Sequence, residues 1–130
     1  IKTSVAISGE RFLSYAADSM IVSTATGSTG YNLSARGPIV SPKLRCLILT
    51  PVSPHMLFDR SIALDDSDEV SLQLDGRCEA ELIVDGVPCG QVQVGERLVC
   101  RAGEDDAILV RFGDRSFESV LKKKFRLADR

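Results

Sequence analysis

The chain is short of the residues on which most metal and nucleophile chemistry depends. It has one histidine, His55, set between Pro54 and Met56. No Ser-His-Asp arrangement can be built around it, and a lone histidine in a turn reads as structural. Four cysteines occur, Cys46, Cys78, Cys89 and Cys100, and none forms a Cys-x-x-Cys pair. That spacing argues against a zinc site, so no metal ligands are expected here. The thiols are expected to be reduced, in a cytoplasmic protein. No apolar run approaches the roughly 18 residues that a membrane span needs, and no signal-peptide pattern is seen, so no membrane partner is expected. The net charge is −2, which gives no electrostatic argument for nucleic acid. No Gly-x-x-x-x-Gly-Lys-Ser/Thr phosphate loop is present. Paired carboxylates occur at Asp65-Asp66, Asp68-Glu69 and Asp105-Asp106, all in turn-like contexts that read as solvated surface. No residue of this chain is therefore assigned a catalytic role.

What is present fits one domain over residues 1–130. The hydrophobic fraction is 44% and the charged fraction 26%, ordinary values for a globular protein. The chain opens at Ile1, without Met and within a strand-like pattern, and is expected to be an excised piece of a longer protein. Strands are expected over residues 3–7, 11–16, 20–24, 79–84, 87–94, 97–101 and 107–112. Cys46–Val52 is a continuous apolar run suited to a strand buried on both faces, and Val70–Leu74 alternates strictly. Asp85-Gly86 is a two-residue hairpin signal. Two short helices are expected. One covers residues 28–35, capped by Ser28 or Thr29; the other covers 117–124, capped by Ser116, with Lys122, Lys123 and Lys124 at its C-terminal end. The regular strand spacing indicates a mainly β fold with two packed sheets.

One segment stands apart. From Asp18 to Ser34 a strand-like stretch gives way to Thr26, Gly27, Ser28, Thr29, Gly30 and Tyr31. It offers backbone N–H groups, short hydroxyls and one flat ring within a few residues. That suits a polar, flat ligand such as a nucleotide. It equally suits a glycine-rich turn from strand to helix. Two proline-bounded stretches, residues 36–42 and 50–55, flank the apolar strand. Proline fixes φ and removes a donor, so both are stiff connections. Stiff loops at a strand end can line a site or simply brace the chain.

The order of these pieces carries a resemblance. The chain reads Asp18, then Ile21-Val-Ser-Thr-Ala-Thr-Gly-Ser-Thr-Gly-Tyr31, Leu33-Ser-Ala-Arg-Gly-Pro-Ile-Val40 and Leu49-Thr-Pro-Val-Ser-Pro-His55. It resembles the NAD kinases, which carry D-G-x-I-V-S-T-P-T-G-S-T-A-Y-x-L-S-A-G-G-P-I-V followed by T-P-I-C-P-H. Ile83-Val-Asp-Gly86 and residues 117–125 are similar to that family's Asp-Gly turn and closing helix. The departures are Ser19 for Gly, Ala25 for Pro, Gly30 for Ala, Arg36 for Gly and Ser61 for Pro. Arg36 sets a long cation beside the site, and preference among NAD, its reduced form and its phosphorylated form is the property it would alter.

The resemblance implies a C-terminal, NAD-binding domain, with an ATP-binding N-terminal domain outside this chain. The whole enzyme would phosphorylate the 2′-hydroxyl of the NAD adenosine ribose with ATP and Mg2+ to give NADP. The family's phosphate-holding motif and base belong to that other domain, so this chain alone is expected to be inactive and to hold no cofactor. A homo-oligomer is also expected. Residue by residue, Asp18 would face the nicotinamide end across a subunit boundary. Thr26 and Thr29 would meet the adenine edge, and Gly30 would let backbone approach the ligand. Tyr31 would lie along a ring or ribose. Ser34 and Ser53 would line the nicotinamide end. Asp85 is a further ligand contact or only a hairpin turn. Two other readings remain open at this point: a non-catalytic dinucleotide-binding module, and a lipid kinase of the diacylglycerol type.

Overall fold

The computed structural model describes residues 1–110, 112, 113 and 116–127. Strand β1 (Lys2–Ile7) turns through Ser8 and Gly9, at φ 47° and 85°, into β2 (Glu10–Ala16). Then come β3 (Ser19–Thr24), a 3-10 turn (Thr26–Thr29), and the one-turn helix α1 (Tyr31–Ser34). The chain continues through β4 (Cys46–Val52), β5 (Ile62–Asp65), β6 (Val70–Leu74), β7 (Ala80–Val84), β8 (Val87–Val92) and β9 (Arg97–Cys100), and closes with α2 (Phe117–Phe125).

The strands form two antiparallel sheets and a separate hairpin. One sheet runs β2-β1-β6-β9, the other β3-β4-β5, and among the described residues β7 pairs only with β8. The two larger sheets meet at the core. Val5, Tyr15, Val70 and Leu72 project from the first, and Leu49 from the second. Met20, Val22 and Leu64 pack in from the second sheet's side. The strict alternation of β6 explains its role: Val70, Leu72 and Leu74 are buried and the intervening Ser71 and Gln73 are not. In β4, Leu47, Ile48, Leu49 and Thr50 are all buried. A side chain every second residue faces each way, so both faces of this strand are covered.

The mainly β, two-sheet architecture expected from the sequence is the one observed, with the β7–β8 hairpin as a third, smaller unit. Asp85 and Gly86 both have positive φ, 50° and 81°, the geometry of a tight two-residue hairpin turn. The strand readings depart from the structure in two places. Residues 107–112 form no strand where they are described, with Ile108, Leu109, Val110 and Phe112 all more than two-thirds exposed; Arg111 lies outside the described residues. A strand needs a partner's ladder as well as β-favouring side chains, and no described strand pairs with this run. Strand β5 was not foreseen; its pairing with β4 makes it a strand, and no pattern within its four residues announces that.

Ser116 caps α2 as expected, its Oγ accepting from the Ser119 N–H at 3.1 Å. Hydrogen bonds at this first turn also hold the Glu118 carboxyl below its usual range. Lys122, Lys123 and Lys124 occupy the last turn, where the helix dipole favours cations. Helix α2 buries no residue, so its stability rests on such local terms. Ser116→Ala is expected to destabilise the helix by about 1 kcal/mol. Amide exchange in residues 117–120 should quicken several-fold while the β-core amides keep their rates; equal protection in both proteins would contradict the cap.

Candidate functional site

The segment from Thr24 to Val40 is built around two inward-facing residues. Ser28 and Asn32 are four apart, and both are fully buried. Their neighbours Thr26, Thr29, Gly30, Tyr31 and Ser34 are exposed, Tyr31 by 66%. The segment thus exposes three hydroxyls, a bare backbone and a phenol ring. Neither of two open grooves elsewhere, about 480 Å³ against α2 and about 520 Å³ beside Arg77 and Gln93, includes any of these residues.

Helix capping does not fix this segment. Neither the 3-10 turn nor α1 has a side-chain cap, which corrects the expectation for Ser28 and Thr29. Ser28 is turned inward instead, and its Oγ accepts from the Val40 N–H at 3.0 Å. Thr29 Oγ1 donates to the Thr26 carbonyl at 3.4 Å. Gly27 N–H donates to Thr24 Oγ1 at 3.2 Å, which begins the turn at the end of β3.

The buried anchor is the Asn32 amide. Its Nδ2 donates to the Ser28 carbonyl at 3.0 Å and the Pro38 carbonyl at 3.1 Å. Its Oδ1 accepts from Thr50 Oγ1, on β4, at 2.6 Å. Thr50 Oγ1 also lies 2.8 Å from Ser61 Oγ. One hydroxyl has one hydrogen, and the amide oxygen takes it, so Ser61 donates in the second contact. The amide orientation is equally constrained: turned over, its oxygen would face two carbonyls. Four segments therefore meet at one buried polar cluster. Sequence reading missed it, since Asn32 and Thr50 look like any other polar residue in a polar or apolar run. The only available signal was the four-residue spacing of Ser28 and Asn32 on one helical face.

The remaining expected residues lie at other places. Asp18 is exposed in the β2–β3 turn, and its N–H donates to the Val52 carbonyl at 2.9 Å. Ser53 follows β4 directly, exposed and at φ 46°. Asp18 and Ser53 thus flank the same end of the β3–β4 pair. Thr26 leaves the other end, and the six residues of β3 separate the two by roughly 20 Å. The segment then folds back: Asn32 reaches Thr50, two residues short of Val52. Asp85 sits at the tip of the separate β7–β8 hairpin. Arg36 is exposed at φ 65°, a left-handed conformation that accounts for glycine standing there in the pattern it resembles.

The carboxylate pairs serve the turns. Asp66 accepts from Arg45 Nε at 2.7 Å, and Asp68 from Ser8 Oγ at 2.6 Å. Hydrogen bonds from Ser67 hold Asp65 below the usual carboxylate range. The four cysteines are unpaired. Among the described residues no three His, Cys, Asp or Glu side chains converge as metal ligands, and no helix is long and apolar enough to cross a membrane.

Comparison with known proteins gives one answer. Residues 1–112 match the model of the ATP-NAD kinase C-terminal domain. An NAD kinase of Lachnoclostridium phytofermentans is 40% identical over 130 residues, covering 96% of this chain and 46% of that protein. One of Gemmatimonas aurantiaca is 42% identical over 125 residues, 95% of this chain and 43% of that protein. The crystal structure of a yeast NADH kinase complexed with NADH superposes with a TM-score of 0.72 at 34% identity, over 75% of this chain and 28% of the other. An Archaeoglobus fulgidus NAD kinase in complex with ATP gives 0.68 at 26% identity, over 79% and 39%. The chain spans a little under half the length of the curated relatives it matches. It belongs to the ATP-NAD kinase C-terminal domain family.

Proposed function

We propose that this chain is the dinucleotide-holding domain of an enzyme that transfers a phosphoryl group from ATP to the 2′-hydroxyl of the NAD adenosine ribose, giving NADP. The observation that carries this reading is the exposed face of Thr26, Thr29, Gly30, Tyr31 and Ser34, braced from beneath by buried polar ties. The Thr26 and Thr29 hydroxyls match the donors and acceptors of a purine edge, the phenol offers a flat contact to a ring or ribose, and Ser34 offers a hydroxyl toward the nicotinamide. Asp18 and Ser53, at the far end of the same strand pair, suit the opposite end of an extended dinucleotide. Asp85 is the weakest member, because its turn geometry already accounts for it.

Phosphoryl transfer depends on positioning and on neutralising charge. This half supplies the positioning: it orients the 2′-hydroxyl, and such orientation can lower a barrier by several kcal/mol. The ATP phosphates, their Mg2+ and the base belong in this reading to an N-terminal domain, so no step here is assigned to a metal. The same reading places the enzyme in the cytoplasm, consistent with four unpaired cysteines, and in a homo-oligomer. The exposed Ile83, Val84 and Val87 of the hairpin support the latter, as apolar surface favours association.

Thr29→Val tests the site with little change of volume. In the full-length enzyme it should raise the half-saturating NAD concentration by about 5- to 10-fold, the effect of roughly 1 kcal/mol from one lost hydrogen bond. Half-saturation by ATP should stay put. A lower melting temperature with NAD affinity intact would mean that the segment is only a turn.

A further inference from the structure

We infer that Asn32 is a positioning residue for dinucleotide binding: its buried amide, tied through Thr50 to Ser61, sets where Thr29, Tyr31 and Ser34 stand. This rests on the proposed function and names the device that makes its site.

The segment has little else to hold it. Helix α1 is four residues long, far below the length at which a helix persists by itself. It follows a 3-10 turn, and the two are joined at Gly30, whose φ and ψ of −86° and −137° belong to neither. Neither piece has a side-chain cap. Among the exposed side chains that the ligand reading uses, Thr29 bonds to Thr26, within the same turn. The ties to the rest of the domain run through the buried pair. Ser28 reaches Val40, and Asn32 reaches Pro38 and Thr50. Thr50 lies in β4, the central strand of its sheet, so the Asn32 amide fastens the ligand face to a strand paired on both sides.

Ser61 completes the cluster at 2.8 Å, so each polar atom named in it has a partner. A face held this way is ordered before ligand arrives, and less ordering entropy is lost on binding. Loosening the ties should therefore weaken NAD binding more than it slows the chemical step.

The full-length enzyme tests this through a split between affinity and turnover. Asn32→Leu and Thr50→Val should each raise the half-saturating NAD concentration by about 5-fold or more, with kcat and half-saturation by ATP within about 2-fold. Thr50→Ser keeps the hydroxyl and should restore NAD half-saturation to within about 2-fold of the unsubstituted enzyme. Leu49→Ala, on the same strand but facing the core, serves as the control: it should lower the melting temperature and leave NAD half-saturation unchanged. If Asn32→Leu and Thr50→Val lower only the melting temperature, as the control does, the proposal is overturned. Should Asn32→Leu fail to accumulate, Ser61→Ala decides, because it removes only the outermost link. A rise of about 2-fold or more in half-saturating NAD at unaltered kcat supports the positioning role, and no rise overturns it. Thr29→Val, measured in parallel, separates the two levels. If it weakens NAD binding while the Asn32 and Thr50 variants do not, the site stands and the positioning role falls. If it too leaves binding intact, the site assignment falls and this proposal with it.

Discussion

Leu49→Ala is expected to lower the free energy of unfolding by roughly 2–5 kcal/mol. Leu49 is fully buried, and it is the buried side chain of the β3-β4-β5 sheet in the shared core, with Met20, Val22 and Leu64 packed beside it. It shares one buried cluster with Val5, Tyr15, Val70 and Leu72 of the opposite sheet. Truncation removes apolar contact and leaves a cavity between two sheets whose strands are locked in register. Such a site collapses poorly, which favours the upper part of the range. Urea denaturation should show an earlier midpoint with the slope unchanged, the mark of lost stability without altered compactness. Leu57→Ala, at a fully exposed position, should shift the midpoint little. A loss below about 1 kcal/mol for Leu49→Ala would mean that the sheets do not meet there.

The same residue shows what the sequence reveals. The run Cys46–Val52 is apolar on both parities, and a strand covered on both faces is the plain reading of it. The strict alternation of Val70–Leu74 and the Asp-Gly turn are equally direct, because each depends on neighbours in the chain. The capped helix α2 belongs with them. What failed depends on distant partners. Residues 107–112 have strand-forming side chains, yet a ladder requires a second strand, which no local pattern records. Strand β5 exists because β4 offers it an edge, pairing Leu49 with Ile62 and Cys46 with Asp65.

The candidate site divides along the same line. The exposed residues were legible, since hydroxyls, glycines and one tyrosine in a short stretch have a chemical meaning by themselves. Their support was not. Ser28 reads as a cap and Asn32 carries no signal of its own, and only the folded chain turns both inward. Gly37 gave no local reason for being glycine, and the reason proves to be Asn32.

Gly37→Ala puts that reason to the test. A Cβ on residue 37 would lie 2.1 Å from Asn32 Oδ1, 2.4 Å from Cγ and 2.5 Å from Nδ2. Separations below 3 Å require something to move. A free side chain would swing aside at little cost, but this amide is fully buried and bonded on both ends. The backbone is held too, as Gly37 N–H donates to the Asn32 carbonyl at 2.8 Å. If the amide leaves, the Ser28 and Pro38 carbonyls lose this donor and the Thr50 hydroxyl keeps only Ser61. Each buried group left so costs about 1–3 kcal/mol, and a total loss of roughly 2–5 kcal/mol is expected. Gly9→Ala is the contrast: its Cβ would meet nothing, and its cost comes only from φ at 85°. A double-mutant cycle isolates the clash. Asn32→Ala removes the obstructing amide, so Gly37→Ala should cost far less in that background. The two changes should fall short of additivity by about 1 kcal/mol or more, the coupling of residues in direct contact. Strict additivity would mean that Asn32 does not occupy the space beside Gly37, and the cluster drawn around it would have to be abandoned.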